Sequence, residues 1–257
     1  MRRLAALLAT LAGLWLAAAG PAAASPFEDW AAVVIAGDWH AHSGGPSEAF
    51  DNARRDVSRA LVAAGFAPAN IRQFSVRPER YKDTRPEKTD LTTIYTDLTE
   101  LTSKTQAGCL FYLSSHGAPS GAIVDDRILA PGVLDAILDR TCGARPTVVV
   151  ISACFSGVYV PTLARANRMV LTAARPDRTS FGCGESDKYP YFDTCFLASM
   201  PQTHDFPALG RMVQGCVAQK ERQTGMKPPS EPQLFVGGGV RPILPLLAFA
   251  TPPPGGR

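Results

Sequence analysis

Four apolar runs constrain this chain most: WAAVVIAG at 30–37, CLFYLSSHG at 109–117, TVVVIS at 147–152 and RMVLTAA at 168–174. Each has strand length, and none alternates strictly between apolar and polar residues. Runs of that kind belong to strands buried on both faces of a sheet. The segments between them have helical spacing. Phe50, Ala53, Val57, Ala60, Leu61 and Ala64 form one stripe, with Ser47 placed to cap it and Gly65 to end it. Further helices are predicted over about 91–103, from Pro131 or Gly132 to 143, and over 206–222. IRQFSV and PQLFVGG supply two more strands, and 77–90 is a polar loop. Strands alternating with helices indicate an α/β fold, with a mainly parallel sheet covered by helices on both sides. The 257 residues suffice for one core, expected over 25–247, with no second domain.

A net charge of +3, with no basic cluster beyond Arg54–Arg55, argues against nucleic acid or an anionic membrane as a partner. That arginine pair reads as a solvated helix face. The first 24 residues have the form of an export signal: Arg2 and Arg3, an uncharged apolar run from Leu4 to Ala19, then PAAAS with a cut after Ala24. The run is short for a membrane span, so no stable span is expected after cleavage. The arginines and the Ala-rich run look bacterial, which places the mature protein in the periplasm or the medium. Residues 248–257, ending TPPPGGR, are expected to be a disordered tail.

Export permits disulfides among Cys109, Cys142, Cys154, Cys183, Cys195 and Cys216. If Cys154 stays free, five remain, so at most two bridges form and one thiol is left over. Cys183 and Cys195 flank a Tyr/Pro-rich loop and are the first candidate bridge. There is no C-x-x-C and no H-E-x-x-H, so no metal is expected, and no cofactor.

The chemistry concentrates where two strands end. VVVISACFSG carries Cys154 just past the fourth strand, and FYLSSHG carries His116 just past the third. Ligands of open parallel sheets bind at the carboxyl ends of strands. If these strands are neighbours, about 4.8 Å apart, the two side chains share one rim. A free thiol, with pKa about 8.5, is mostly protonated at neutral pH. An adjacent imidazole can take its proton and later deliver it to a leaving amine. The amides of Gly117 and Cys154 could form an oxyanion hole. Asp51 or Asn52 could orient His116, the alternative being a solvated helix face. His40 and His42 fall at the same rim, with His42 a candidate for the substrate cleft. His204 reads as surface and Asp125–Asp126 as hairpin-turn acids. Tyr189, Tyr191 and Phe192 read either as a lid or as packing under a disulfide loop.

These two blocks resemble the signatures of the legumain (asparaginyl endopeptidase) family of cysteine peptidases. That family shares a clan with caspases, gingipains and the catalytic subunit of the GPI-anchor transamidase. The resemblance extends over about residues 30–200, through the first strand, the helix at 48–64 and LTAARPDRTSFGC. It implies a caspase-like three-layer α/β/α sandwich, His116 as proton shuttle, Cys154 as nucleophile, and the Gly117 and Cys154 amides as oxyanion hole. Ser152 stands where the family has a pocket acid, and Thr179–Ser180 match its small polar pair. The Arg–His pair that the family brings from the loop entering the first helix does not align one to one with GGPSEAFDNARRD. Asp187 and Asp193 lie near the place of another acid but out of register. The resemblance therefore carries over the chemistry and not a preference for Asn.

The leading expectation is an exported cysteine endopeptidase that cuts peptide or protein substrates through an acyl-enzyme. Two alternatives stay open: a transpeptidase using the same dyad, and a silent binding protein with the same fold. Ser156 lacks the G-x-S-x-G setting of a serine nucleophile.

Overall fold

A computed structural model describes residues 25–250. The expected signal segment and residues 251–257 lie outside it. In chain order the elements are β1 (Trp30–Ala36), α1 (Ala49–Ala63), β2 (Ile71–Ser75), β3 (Glu87–Lys88), α2 (Leu91–Lys104), β4 (Gly108–Ser114), β5 (Gly117–Ala118), β6 (Gly121–Val124), β7 (Arg127–Leu129), α3 (Pro131–Thr141), β8 (Thr147–Ser152), α4 (Tyr159–Leu163), β9 (Arg168–Thr172), α5 (Tyr191–Ser199), α6 (Phe206–Thr224) and β10 (Gln233–Val236).

Seven strands form one sheet in the order β10-β9-β8-β4-β1-β2-β3. All neighbours are parallel except β10, which runs antiparallel to β9. The apolar runs are the central strands, buried along their whole length. Strand geometry sends successive side chains to opposite faces. On one face Ala32, Val34, Leu110, Tyr112, Val148, Val150 and Leu171 pack under α1, α5 and α6. On the other Ala31, Val33, Phe111, Leu113, Val149 and Ile151 pack under α2, α3 and α4. The result is a three-layer α/β/α sandwich. Fully burying one such Val or Leu contributes about 1.5–3 kcal/mol, so both layers are held chiefly by these strands.

Local signals set the helix ends. Glu48 rather than Ser47 holds the cap position of α1 and makes no side-chain cap bond; the Ser47 hydroxyl, two residues before the helix, accepts from the Ala49 amide at 3.2 Å. Gly65, at φ 107°, turns the chain out of α1, with Phe66 N–H donating to the Leu61 carbonyl. Asp90 caps α2 by accepting from Thr92 and Thr93, and Asp205 caps α6 by accepting from Ala208. Asp125 and Asp126 form the two-residue turn between β6 and β7, within a small three-stranded antiparallel sheet, β5-β6-β7, beside the main one.

Four expectations need correction. The bridges are Cys109–Cys142 and Cys195–Cys216, not Cys183–Cys195. Cys195 lies on the buried face of α5, against α6, which carries Cys216, whereas Cys183 sits in the loop before α5. Arg54 is not a solvated face residue but fully buried. It bonds Asp51 at 2.9 Å, Gln73 at 2.6 Å and Thr84 at 3.2 Å, and lies over the Tyr81 ring. Phe249, expected in the tail, belongs to an aromatic cluster with Phe27 and Phe206. Tyr191 and Phe192 are neither lid nor loop: they open α5, where Phe192 enters the core.

Candidate active site

The carboxyl ends of β4 and β8 carry the two candidate residues. Ser114 and Ser152 are partners across that strand pair, and His116 and Cys154 each lie two residues further on. Beyond Cys154 the chain turns sharply. Phe155 adopts the left-handed region, φ 57° and ψ 11°, which is uncommon for a residue with a β-carbon. The Phe155 amide, donating to the Arg178 carbonyl at 2.7 Å, holds that turn. Gly117 lies against the Cys154 main chain: a β-carbon there would stand 2.2 Å from the Cys154 carbonyl oxygen. Only glycine fits that approach.

The Cys154 thiol is half-buried and turned toward Ser180. The Ser180 amide donates to the sulfur at 3.3 Å, with the Ser180 hydroxyl at 3.6 Å and its carbonyl at 3.7 Å. His116 Nε2 lies 3.0 Å from the His40 carbonyl oxygen. A carbonyl only accepts, so Nε2 carries the proton and Nδ1 is the basic nitrogen. The ring packs edge-on against Phe50, centroids 5.0 Å apart. His40 is fixed in turn by Asp38, whose Oδ1 accepts from the Trp39 and His40 amides at 2.6 and 3.0 Å and lies 2.8 Å from His40 Nδ1. The group that orients His116 is thus a backbone carbonyl. Asp51 is buried against Arg54, and burial raises its pKa. Asn52 donates to the Lys188 carbonyl. Neither serves His116.

The remaining candidates lie at different depths. Thr179 and His42 are exposed. Ser152 is buried, and its hydroxyl donates to Asp193 Oδ2 at 2.6 Å. Ser114 donates to the same oxygen at 3.1 Å, and Tyr112 to Oδ1 at 2.5 Å. Burial outweighs these three donors and raises the Asp193 pKa to about 6. The sequence placed Asp193 only as a loop acid out of register, whereas it lies in α5; Ser114 and Tyr112 escaped the sequence reading. The available signal was the shared parity of Tyr112, Ser114 and His116. Ser156 is buried and its hydroxyl accepts from the Ala174 amide, a structural role. Cys183 is free and half-buried. Burial, then the nearby Cys154 and Asp187, push its pKa up to about 11.

Loop 39–48 and loop 181–189 are tied across the rim. Ser43 donates to Glu185 at 2.7 Å, and Ser47 donates to the Gly184 carbonyl at 3.2 Å. Two surface grooves lie elsewhere, around Ala60, Met200 and Phe249, and around Tyr95, Val133 and Ile137. Among the described residues no three His, Cys, Asp or Glu side chains converge as metal ligands.

The structure thus places a half-buried thiol and an imidazole held by the His40 carbonyl at the ends of adjacent parallel strands. Among solved structures, the fold is similar to that of caspase-1 from Spodoptera frugiperda, with a TM-score of 0.59 at 14% identity, covering 83% of this chain and 88% of that one. At that identity the likeness concerns the fold alone. No curated protein matches the sequence. The model of the peptidase C13 family matches residues 84–215, just over half of the 257, and includes both His116 and Cys154. The chain therefore belongs to the peptidase C13 family, the legumain family of cysteine peptidases.

Proposed function

We propose that the protein is an exported cysteine endopeptidase with Cys154 as nucleophile and His116 as general base and acid. The observation that carries this reading is the pairing of Ser114 with Ser152, which brings the carriers of His116 and Cys154 to one rim of the sheet.

The thiol proton passes to His116 Nδ1, since Nε2 is engaged by the His40 carbonyl. The thiolate attacks the scissile carbonyl carbon. The oxyanion that forms is met by the amides of Gly117 and Cys154. As the C–N bond breaks, the imidazolium returns its proton to the departing amine, leaving a thioester on Cys154. Water then attacks, losing a proton to His116, and the acid product leaves as the thiol regains that proton. For this cycle the thiol must rotate from its contact with Ser180 toward His116. Substrate entering along Thr179–Ser180 would displace that contact, and catalytic hydrogen bonds commonly tighten only once substrate is bound. We assign Thr179, Ser180 and His42 to the substrate cleft, with Ser152 acting from beneath it. Two disulfide pairs support an oxidising compartment, periplasm or medium.

Incubating the purified protein with a diverse peptide library and mapping products by mass spectrometry tests this reading. Internal cuts should appear with wild type and vanish with Cys154→Ala and with His116→Ala. Half or more of the activity surviving in either variant overturns the dyad. An added amine nucleophile appearing in the products would favour a transpeptidase.

A further inference from the structure

We infer that Asp193 is a positioning residue for the dyad: its buried carboxylate ties the carboxyl ends of β4 and β8 together and so sets the spacing of His116 and Cys154. The inference rests on the dyad reading above.

Tyr112, Ser114 and Ser152 share the sheet face covered by α5. Asp193, fully buried in α5, meets all three. A single oxygen, Oδ2, accepts from Ser114 and Ser152, the last residues of their strands. The main-chain pairing of the two strands extends one bond further, from Ser115 N–H to the Ser152 carbonyl at 3.0 Å. Beyond it the ladder ends: one chain enters the β5-β6 hairpin and the other turns at Phe155, the two meeting again where Gly117 lies against the Cys154 main chain. The side-chain bridge thus sits at the last residue pair of the ladder, just before the dyad residues. Hydrogen bonds to an ionised acceptor are roughly twice as strong as neutral ones.

The carboxylate is itself anchored from the opposite side. Phe192 and Phe196 pack beside it in the core, and the Cys195–Cys216 bridge ties α5 to α6. An isolated buried carboxylate is expensive, and an apolar side chain would fill the same space at lower cost. What an apolar residue cannot supply is one acceptor shared by two strand ends.

The test uses the full-length protein with its disulfides intact, as Asp193→Ala, Asp193→Asn, Ser114→Ala, Ser152→Ala and the double serine variant. The rate of Cys154 alkylation by iodoacetamide is followed against pH by mass spectrometry, together with kcat and KM on a peptide the wild type cuts. A misplacement near 1 Å can lower turnover about 100-fold, so Asp193→Ala should lower kcat at least about 30-fold with KM within about 3-fold. Its Cys154 alkylation profile should move to higher pH. Asp193→Asn, which keeps an acceptor, should recover most of kcat. Should Asp193→Ala fail to fold, the serine variants, which each delete one hydroxyl, carry the test: each should lower kcat, and the pair should be non-additive. Wild-type kcat and an unmoved alkylation profile in folded Asp193→Ala, or in the double serine variant, overturn the inference even if Tm falls. Failure of the dyad reading shows separately, as a Cys154 alkylation profile that His116→Ala leaves unchanged.

Discussion

Gly117 and Cys154 meet main chain to main chain, so closely that a β-carbon on Gly117 would lie 2.2 Å from the Cys154 carbonyl oxygen. This contact brings the hairpin that follows His116 against the nucleophile's own backbone. Gly117→Ala should therefore push the two apart, lowering stability by about 1–3 kcal/mol. Turnover should fall about 100-fold or more, as expected for a displacement near 1 Å. Urea unfolding and peptide cleavage measure both. A variant with wild-type turnover would show that the contact is irrelevant to the chemistry.

The buried Arg54–Asp51 pair gives a second prediction. Arg54→Ala leaves Asp51 buried without its partner, and breaking a buried pair in this way costs about 3–5 kcal/mol. Because neither residue touches His116, the fraction that stays folded should keep its turnover. Denaturant titration alongside activity per folded molecule separates the two effects.

Asp193 makes stability depend on pH with a definite sign. Its folded pKa, about 6, lies above the ordinary 3.8. Between those values the folded state keeps a proton that the unfolded chain has lost. The stabilisation is fully present at the acid end and is lost as pH rises through about 6. The difference amounts to about 3 kcal/mol. The groups facing the carboxylate are the hydroxyls of Tyr112, Ser114 and Ser152. Wild type minus Asp193→Asn, measured by urea unfolding at pH 4.5 and 7.5, should show a loss of about 2 kcal/mol at the higher pH, the remainder lying below pH 4.5. A difference that does not change with pH contradicts this.

The disulfides predict a chemical map. Digestion without reduction should yield Cys109–Cys142 and Cys195–Cys216 peptides, with Cys154 and Cys183 alone accepting alkylating label. Replacing Cys195 and Cys216 by Ala should remove about 2–4 kcal/mol of stability. A Cys183-containing bridge would contradict the fold at the loop before α5.

Much of this was legible in the sequence, for a physical reason. Central parallel strands are buried on both faces, so WAAVVIAG, CLFYLSSHG and TVVVIS stand out as unbroken apolar runs. His116 and Cys154 follow directly from where the latter two end. Helix α5 was illegible because YFDTCFLAS is apolar on more than one side and shows no stripe. Asp193 therefore read only as an out-of-register loop acid, since its partners are 79 and 81 residues away on β4 and 41 away on β8. The His40 contact was invisible for another reason: it is made by a carbonyl, which every residue has. Arg54 read as surface because charge usually is. Its burial depends on Gln73 and Thr84, partners supplied by other parts of the chain.

The measurement closest to the central claim is the rate of Cys154 alkylation by iodoacetamide against pH, resolved by site, in wild type and in His116→Ala. An imidazole-assisted thiol predicts that wild-type Cys154 reacts below pH 7, and that His116→Ala slows this reaction and moves its profile to higher pH, while Cys183, its pKa pushed up to about 11 by burial, stays behind in both proteins. Equal Cys154 rates in the two proteins across the pH range would contradict it.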